Sequence, residues 1–177
     1  MGRVHFVVLV VLIFAGLGLA SLEVGGAAAV PESRGATVVY LVRHAETDPD
    51  VGPNPPLTEA GVAWAARLAD LVRDEPISAV FVTATIRSHA TAAPVLWRFN
   101  LDATEYSPRG FAALGARIRE GHTGERVVVV AHSNTVAPIL RALGGPETPD
   151  LEHDEYDRLY AVVMEPGGAV RTLSLRF

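Results

Sequence analysis

The sequence predicts an α/β fold, a three-layer sandwich in which a mostly parallel central sheet is flanked by helices and ends in a C-terminal antiparallel hairpin strand. Short β-branched apolar runs alternate with longer segments whose apolar residues repeat at helical spacing. Four consecutive valines, Val127 to Val130, are typical of a strand that is buried on both faces of a parallel sheet. This alternation implies βαβ units with helices on both faces of the sheet.

The elements follow in order along the chain. Thr58 is a helix N-cap candidate, Pro94 predicts a kink or restart within the second helix, and Gly121 ends the third. The Pro166-Gly167-Gly168 turn predicts the final hairpin. We therefore expect strands at 37–42, 77–82, near 103–106, at 126–131, 159–164 and 169–175, a loop at 48–56, and helices after residue 58 and at 87–99, 111–120 and 134–143.

Composition limits the function. The 177 residues suit a single domain, and a net charge of -5 without a basic block makes nucleic-acid binding through phosphates a poor candidate. The absence of cysteine excludes a disulfide scaffold, a cysteine zinc site and a thiol nucleophile. All 15 basic residues are arginine, the side chain that binds planar oxyanions bidentately, so a lysine Schiff base and a P-loop lysine are also excluded.

The N-terminus predicts export. Arg3 precedes an apolar run at 6–20, and Ala27-x-Ala29 fits a small-x-small cleavage site. We expect a signal peptide at 1–29 and a catalytic domain at 30–177, in the periplasm or secreted. The alternative is an uncleaved anchor over 4–22, since about 20 apolar residues cross a bilayer. In either case the domain faces outward, and only this segment would contact a membrane.

Chemically distinctive side chains follow three of the predicted strands. Arg43 and His44 follow the first, Arg87 follows the second, and His132 follows the valine strand. Because the carboxyl ends of parallel strands meet at one sheet edge, we expect these four residues to form a pocket for a dianion. Each arginine can donate two parallel N–H bonds to phosphoryl oxygens, and a neutral histidine can attack phosphorus.

Three motifs resemble those of the histidine phosphatase superfamily, also called phosphoglycerate mutase-like. Leu41-Val42-Arg43-His44-Ala45-Glu46-Thr47 resembles its Arg-His-Gly signature. Thr83-x-x-x-Arg87-x-x-x-Thr91 and Val130-Ala131-His132-Ser133-Asn134 resemble its second and third motifs. The resemblance covers residues 37–177, and the short chain is similar in size to the short phosphatase branch.

The resemblance implies a role for each matching residue. His44 would be the nucleophile that becomes phosphorylated, while Arg43, Arg87 and His132 would bind the phosphoryl group without a metal or cofactor. Thr47 is a further candidate, either as a donor to phosphate or as a loop cap. The chain lacks the inserted lid of the mutases, which argues against mutase activity.

The proton donor is left open by the sequence. Ser133 follows His132 where the acid phosphatase branch has aspartate, so the acid must come from elsewhere. Glu46 lies two residues beyond His44, and Glu105 lies at the end of the third strand. The acidic run at 150–157 is the remaining source.

Three hypotheses therefore stand. The first is an exported phosphomonoesterase acting through a phosphohistidine on His44, on a small phosphate ester or a phosphorylated envelope component, with a phosphohistidine or phosphoprotein phosphatase as its variant. The second is a binding module that holds a phosphorylated ligand without turnover. The third is a metal-dependent hydrolase that uses His132, His153 and nearby carboxylates, although no metal-binding spacing supports it.

Overall fold

A computed structural model describes residues 35–177. The predicted signal segment at 1–29 and its boundary lie outside the described residues. The observed strands are β1 (Thr37–Arg43), β2 (Ile77–Val82), β3 (Ala103–Glu105), β4 (Arg126–Ala131), β5 (Arg158–Met164) and β6 (Val170–Arg176). The α-helices are α1 (Glu59–Leu71), α2 (Ile86–Phe99), α3 (Phe111–Gly121) and α4 (Val136–Ala142), with a short 3-10 helix at Pro49–Val51.

The six strands form one sheet in the order β3-β2-β4-β1-β5-β6. β1 pairs with β4, β4 with β2, and β2 with β3, all in parallel. β5 and β6 are antiparallel and extend the sheet beyond β1. The predicted mostly parallel sheet with a C-terminal antiparallel hairpin is confirmed.

Alternating residues along the strands belong to two separate apolar cores, one on each face of the sheet. Leu41 and Val129 face one side of the sheet, where they pack with α3 and α4. Val42 and Val130 face the other side, where they pack with α1 and α2. This division explains the valine run, because a strand buried on both faces has no polar face. The three-layer architecture follows.

Three local expectations are revised. α4 begins two residues later than predicted, because 132–135 form a turn in which the Thr135 hydroxyl accepts the His132 N–H at 2.8 Å. α2 continues through Pro94, so the predicted restart is wrong. β1 extends to Arg43, which pairs with Ala131. The Thr58 cap is observed, since its hydroxyl accepts the Gly61 N–H at 3.0 Å.

Candidate active site

The structure brings His44, Arg87 and His132 to one cavity. The parallel pairing of β1, β4 and β2 places the carboxyl ends of these strands at the same edge. The His44 and His132 ring centroids are 5.3 Å apart. Both rings and Arg87 line a cavity of about 600 Å³, called here the His44 cavity.

His44 is held as a neutral imidazole with one free nitrogen. Its Nδ1–H donates to the Ala45 carbonyl at 2.8 Å, and this bond leaves Nε2 unprotonated in the neutral ring. The residue is only 6% exposed. Burial lowers its pKa to about 3, helped by the nearby charges of His132, Arg43 and Arg87 and opposed by the bond to Ala45. Near neutral pH the Nε2 lone pair is therefore available for attack on an electrophile.

His132 is positioned through a buried hydroxyl network. Its Nε2 is hydrogen-bonded to the Thr83 hydroxyl at 2.9 Å. Thr83 is in turn hydrogen-bonded to the Ser88 hydroxyl at 2.8 Å, and both residues are buried. Burial, assisted by the charges of Arg87 and Arg43, lowers the pKa of His132 to about 4. The second imidazole of the site is therefore also neutral near pH 7.

Arg87 supplies a positive charge that has no partner among residues 35–177. Its guanidinium is half-buried on the wall of the His44 cavity and makes no hydrogen bond or ion pair there. The loop beside it is fixed by Thr91, whose hydroxyl donates to the Arg87 carbonyl at 2.7 Å and accepts the Ala45 N–H at 2.9 Å. Thr91 thus ties the loop after β1 to α2.

The contacts of Arg43 differ from those that the sequence predicts for a bidentate phosphate ligand. Its Nη1 donates to the carbonyls of Glu152, His153 and Glu155 at 2.9 to 3.1 Å. Its guanidinium carbon lies 3.9 Å from the centre of the Tyr156 ring, while the buried Nε has no partner. Burial lowers the pKa of Arg43. Arg43 therefore anchors the acidic loop next to His44, and its binding of phosphate stays a prediction.

Glu46, Glu105 and Thr47 are not brought to the His44 cavity. Glu46 accepts the Thr58 hydroxyl at 2.7 Å and lines a second cavity of about 610 Å³, together with much of the 149–158 segment. Glu105 pairs with His89 at 2.9 Å beside a third cavity. Thr47 forms an isolated antiparallel bridge with Leu57. The roles predicted for Glu46, Glu105 and Thr47 in proton donation and phosphate binding stay predictions.

The acidic run at 150–157 reaches the site through Tyr156. The Tyr156 and His44 ring centroids are 6.1 Å apart. Among residues 35–177, the side chains that line the His44 cavity include no aspartate or glutamate. A carboxylic acid that serves the reaction would have to reach the cavity from a neighbouring segment.

Sequence reasoning did not single out Arg109 and Phe111. Arg109 lines the His44 cavity from the connection between β3 and α3, and Phe111 lines it from the first position of α3. A signal was present, because β3 is parallel to β2 and its carboxyl end lies at the same sheet edge. Because β3 has only three residues, its sequence pattern was too short to mark these two residues as part of the site.

The described segment lacks two further features. Within 35–177, no three His, Asp or Glu side chains are grouped as a metal site. Among the helices of residues 35–177, none combines the length and the hydropathy of a membrane span.

The fold and the site together define the class of protein: an α/β protein with two neutral histidines and an unpaired arginine at the carboxyl edge of a parallel sheet. Residues 39–109 match the family model of the histidine phosphatase superfamily, branch 1. The matched segment contains Arg43, His44 and Arg87. This part of the chain is therefore similar to the histidine phosphatase superfamily.

Solved structures share the fold. The protein histidine phosphatase SixA, complexed with tungstate, has a TM-score of 0.62 at 21% identity, over 78% of this chain and 96% of its own. Mycobacterial glucosyl-3-phosphoglycerate phosphatase has a TM-score of 0.59 at 14% identity, over 80% and 98%. Phosphoglycerate mutase from Plasmodium falciparum has a TM-score of 0.57 at 18% identity, over 80% and 91%. Comparison with curated proteins gave no significant match.

Proposed function

We propose that this chain is a metal-independent phosphomonoesterase that forms a phosphohistidine on His44. The observation that carries the proposal is the neutral His44 imidazole, whose Nδ1–H is held by Ala45, in a cavity shared with an unpaired Arg87. A neutral nucleophile next to an uncompensated cation suits a dianionic electrophile. The match of residues 39–109 to the histidine phosphatase superfamily model is consistent with this activity.

The reaction has two displacements at phosphorus. His44 Nε2 attacks in line, the P–O ester bond breaks, and the leaving alkoxide oxygen takes a proton from the general acid, for which Glu46, Glu105 and the 150–157 run are the candidates. Water then attacks the same phosphorus and gives its proton to the conjugate base of that acid. The P–N bond breaks, and inorganic phosphate leaves with His44 and the acid restored. Arg87 donates to the equatorial oxygens, where negative charge is spread in the transition state. His132, oriented by Thr83, faces the same phosphoryl group.

The test is to trap the intermediate. A rapid alkaline quench after mixing with a ³²P-labelled phosphate monoester should leave acid-labile label on the protein. His44→Asn should abolish both label and turnover. His89→Asn is the matched control, because His89 lies outside the His44 cavity and pairs with Glu105. Label retained in His44→Asn would overturn the assignment, as would turnover lost on adding EDTA.

A second candidate, a phosphohistidine phosphatase, is favoured by the lack of carboxylates among the described residues that line the cavity. An alkoxide leaving group needs a proton from a general acid. A phosphohistidine substrate leaves as neutral imidazole once its other ring nitrogen is protonated, so it depends less on an acid of the enzyme. The two candidates share the His44 nucleophile and differ in the leaving group.

Leaving-group dependence separates these candidates. For a phosphomonoesterase, Gln in place of the true donor should lower the rate on a sugar phosphate by about 10²–10⁴ and much less on p-nitrophenyl phosphate. Glu46→Gln and Glu105→Gln are compared in this way. If neither shows the selective loss, and phosphohistidine is the better substrate of the unaltered protein, the second candidate is the correct one. Binding of tungstate without turnover of any substrate would instead indicate a binding module.

We further propose that the domain is exported. The support is the basic, apolar and small-residue order at the N-terminus. Mass spectrometry of the protein recovered from the expressing cell should show a mature chain that begins near Val30. A full-length species extracted only with membranes would show an anchor instead.

A further inference from the structure

Three hydroxyl groups are linked in sequence to the ring of His132. The Thr85 hydroxyl donates to the Ser88 hydroxyl at 3.0 Å, and the Ser88 hydroxyl lies 2.8 Å from that of Thr83. The Thr83 hydroxyl is in turn 2.9 Å from His132 Nε2. Thr83 and Ser88 are buried. The four side chains therefore form one hydrogen-bonded chain that ends on the imidazole.

The direction of this chain follows from the hydrogens, because each hydroxyl has one hydrogen to donate. The hydrogen of Thr85 is used on Ser88, so the hydrogen of Ser88 is left for the Thr83 oxygen. The hydrogen of Thr83 is then left for His132 Nε2. Another acceptor, the Thr85 oxygen, lies farther from Thr83 at 3.3 Å and already accepts the Ser88 N–H.

This direction sets the tautomer of His132. A neutral imidazole carries one hydrogen, so an Nε2 that accepts a hydrogen bond leaves that hydrogen on Nδ1. His132 lines the His44 cavity, and its Nδ1 makes no hydrogen bond with any residue of 35–177. A hydrogen on Nδ1 attracts a phosphoryl oxygen, whereas a lone pair there would repel it.

We infer that Ser88 is a positioning residue that keeps His132 as the Nδ1–H tautomer, so that this hydrogen is donated to the phosphoryl group of the substrate. The inference rests on the proposed function for the identity of the ligand. In Ser88→Ala the Thr83 oxygen loses the Ser88 hydrogen. It then accepts His132 Nε2–H instead, while the Thr83 hydrogen turns to Thr85, and the opposite tautomer is favoured.

Nitrogen-15 NMR of the full chain reads the tautomer, because protonated and unprotonated ring nitrogens differ in chemical shift. At pH 7 we expect His132, assigned by the loss of its signals in His132→Gln, to be the Nδ1–H tautomer and to shift toward Nε2–H in Ser88→Ala. Thr37→Val is the matched control, because it removes a buried hydroxyl at the start of β1, where Thr37 accepts the Gly124 N–H at 2.8 Å. This control should keep the Nδ1–H tautomer.

Calorimetry with inorganic phosphate links the tautomer to the ligand. Ser88→Ala should raise Kd for phosphate by about tenfold, the range of one hydrogen bond to a charged group. Thr37→Val should leave Kd unchanged. A general loss of packing would weaken binding without moving the tautomer, so the two measurements together separate positioning from structure.

Each outcome decides the inference. A shift of tautomer together with weaker phosphate binding, both confined to Ser88→Ala, supports it. An Nε2–H tautomer in the unaltered protein, a tautomer that Ser88→Ala leaves in place, or an unchanged Kd overturns it. The proposed function stands in those cases, because it depends on the label on His44. If that label is absent and the unaltered protein does not bind phosphate, the proposed function fails, and the donation to a phosphoryl group fails with it.

Discussion

At the scale of single residues, the site depends on which polar groups have partners. His44 Nδ1 is hydrogen-bonded to the Ala45 carbonyl, and His132 Nε2 is hydrogen-bonded to the Thr83 hydroxyl. Arg43 donates hydrogen bonds to three carbonyls of the acidic loop. The Arg87 guanidinium, in contrast, has no hydrogen-bond or ion-pair partner in the described segment. Of the two motif arginines, Arg43 and Arg87, the one that is free to bind an anion is therefore Arg87.

Arg87→Lys should be nearly as damaging as Arg87→Ala. Lysine keeps the positive charge but lacks the planar fork that donates two parallel bonds to a phosphoryl group. Loss of such a donor lowers the rate by about 10²–10³. Steady-state kinetics on a phosphate monoester measure the effect, and near-normal activity in Arg87→Lys would show that bidentate donation is not needed.

At the scale of elements, α1 is pressed against the loop that carries the nucleophile. A Cβ built on Gly61 would collide with the Glu46 carbonyl oxygen. The Thr58 hydroxyl bonds to both the Glu46 carboxylate and the Gly61 N–H. The first turn of α1 therefore helps to set the backbone that follows His44.

Gly61→Ala should lower both stability and activity. The methyl group meets backbone, which cannot rotate away, so the loop or the helix must shift, at a cost of about 1–3 kcal/mol in the free energy of unfolding. Gly121→Ala is the control, because a Cβ there meets nothing within 4 Å. Urea unfolding and kcat/KM are measured for both variants, and equal behaviour of the two would contradict the proposed close packing.

At the scale of the whole molecule, folding keeps two histidines neutral inside a cavity that also holds positive charge. In the folded state the pKa of His44 is about 3 and that of His132 is about 4, against 6.5 ordinarily. Between these values and 6.5 the unfolded chain binds more protons than the folded one. The free energy of unfolding therefore falls as the pH decreases through this window.

Between pH 7 and pH 5, His44 alone should account for a loss of about 1–2 kcal/mol of stability. In His44→Gln this contribution is absent, so the difference in unfolding free energy between the two pH values should be smaller by that amount. His153→Gln, a change at an exposed histidine, should behave like the unaltered protein. Urea denaturation at both pH values measures the effect, and parallel pH profiles for all three proteins would refute it.

The sequence by itself determined the layered α/β architecture and the meeting of His44, Arg87 and His132. The periodicity of apolar residues indicates which faces of the elements are buried. The bounds predicted for β2 and β4 match the structure because those apolar runs are short and end sharply. The site residues meet because each directly follows a parallel strand, or begins the helix after one, which is a property of topology.

Only the tertiary structure decided which partners the site residues have. Arg43 is bound by carbonyls more than 100 positions away, and Arg109 reaches the cavity from the connection after a strand of three residues. Glu46 and Glu105 lie close to the motifs in sequence, yet their side chains bond to Thr58 and His89 and line other cavities. The direction and pairing of a side chain depend on neighbours brought together by packing, and local sequence spacing does not record them.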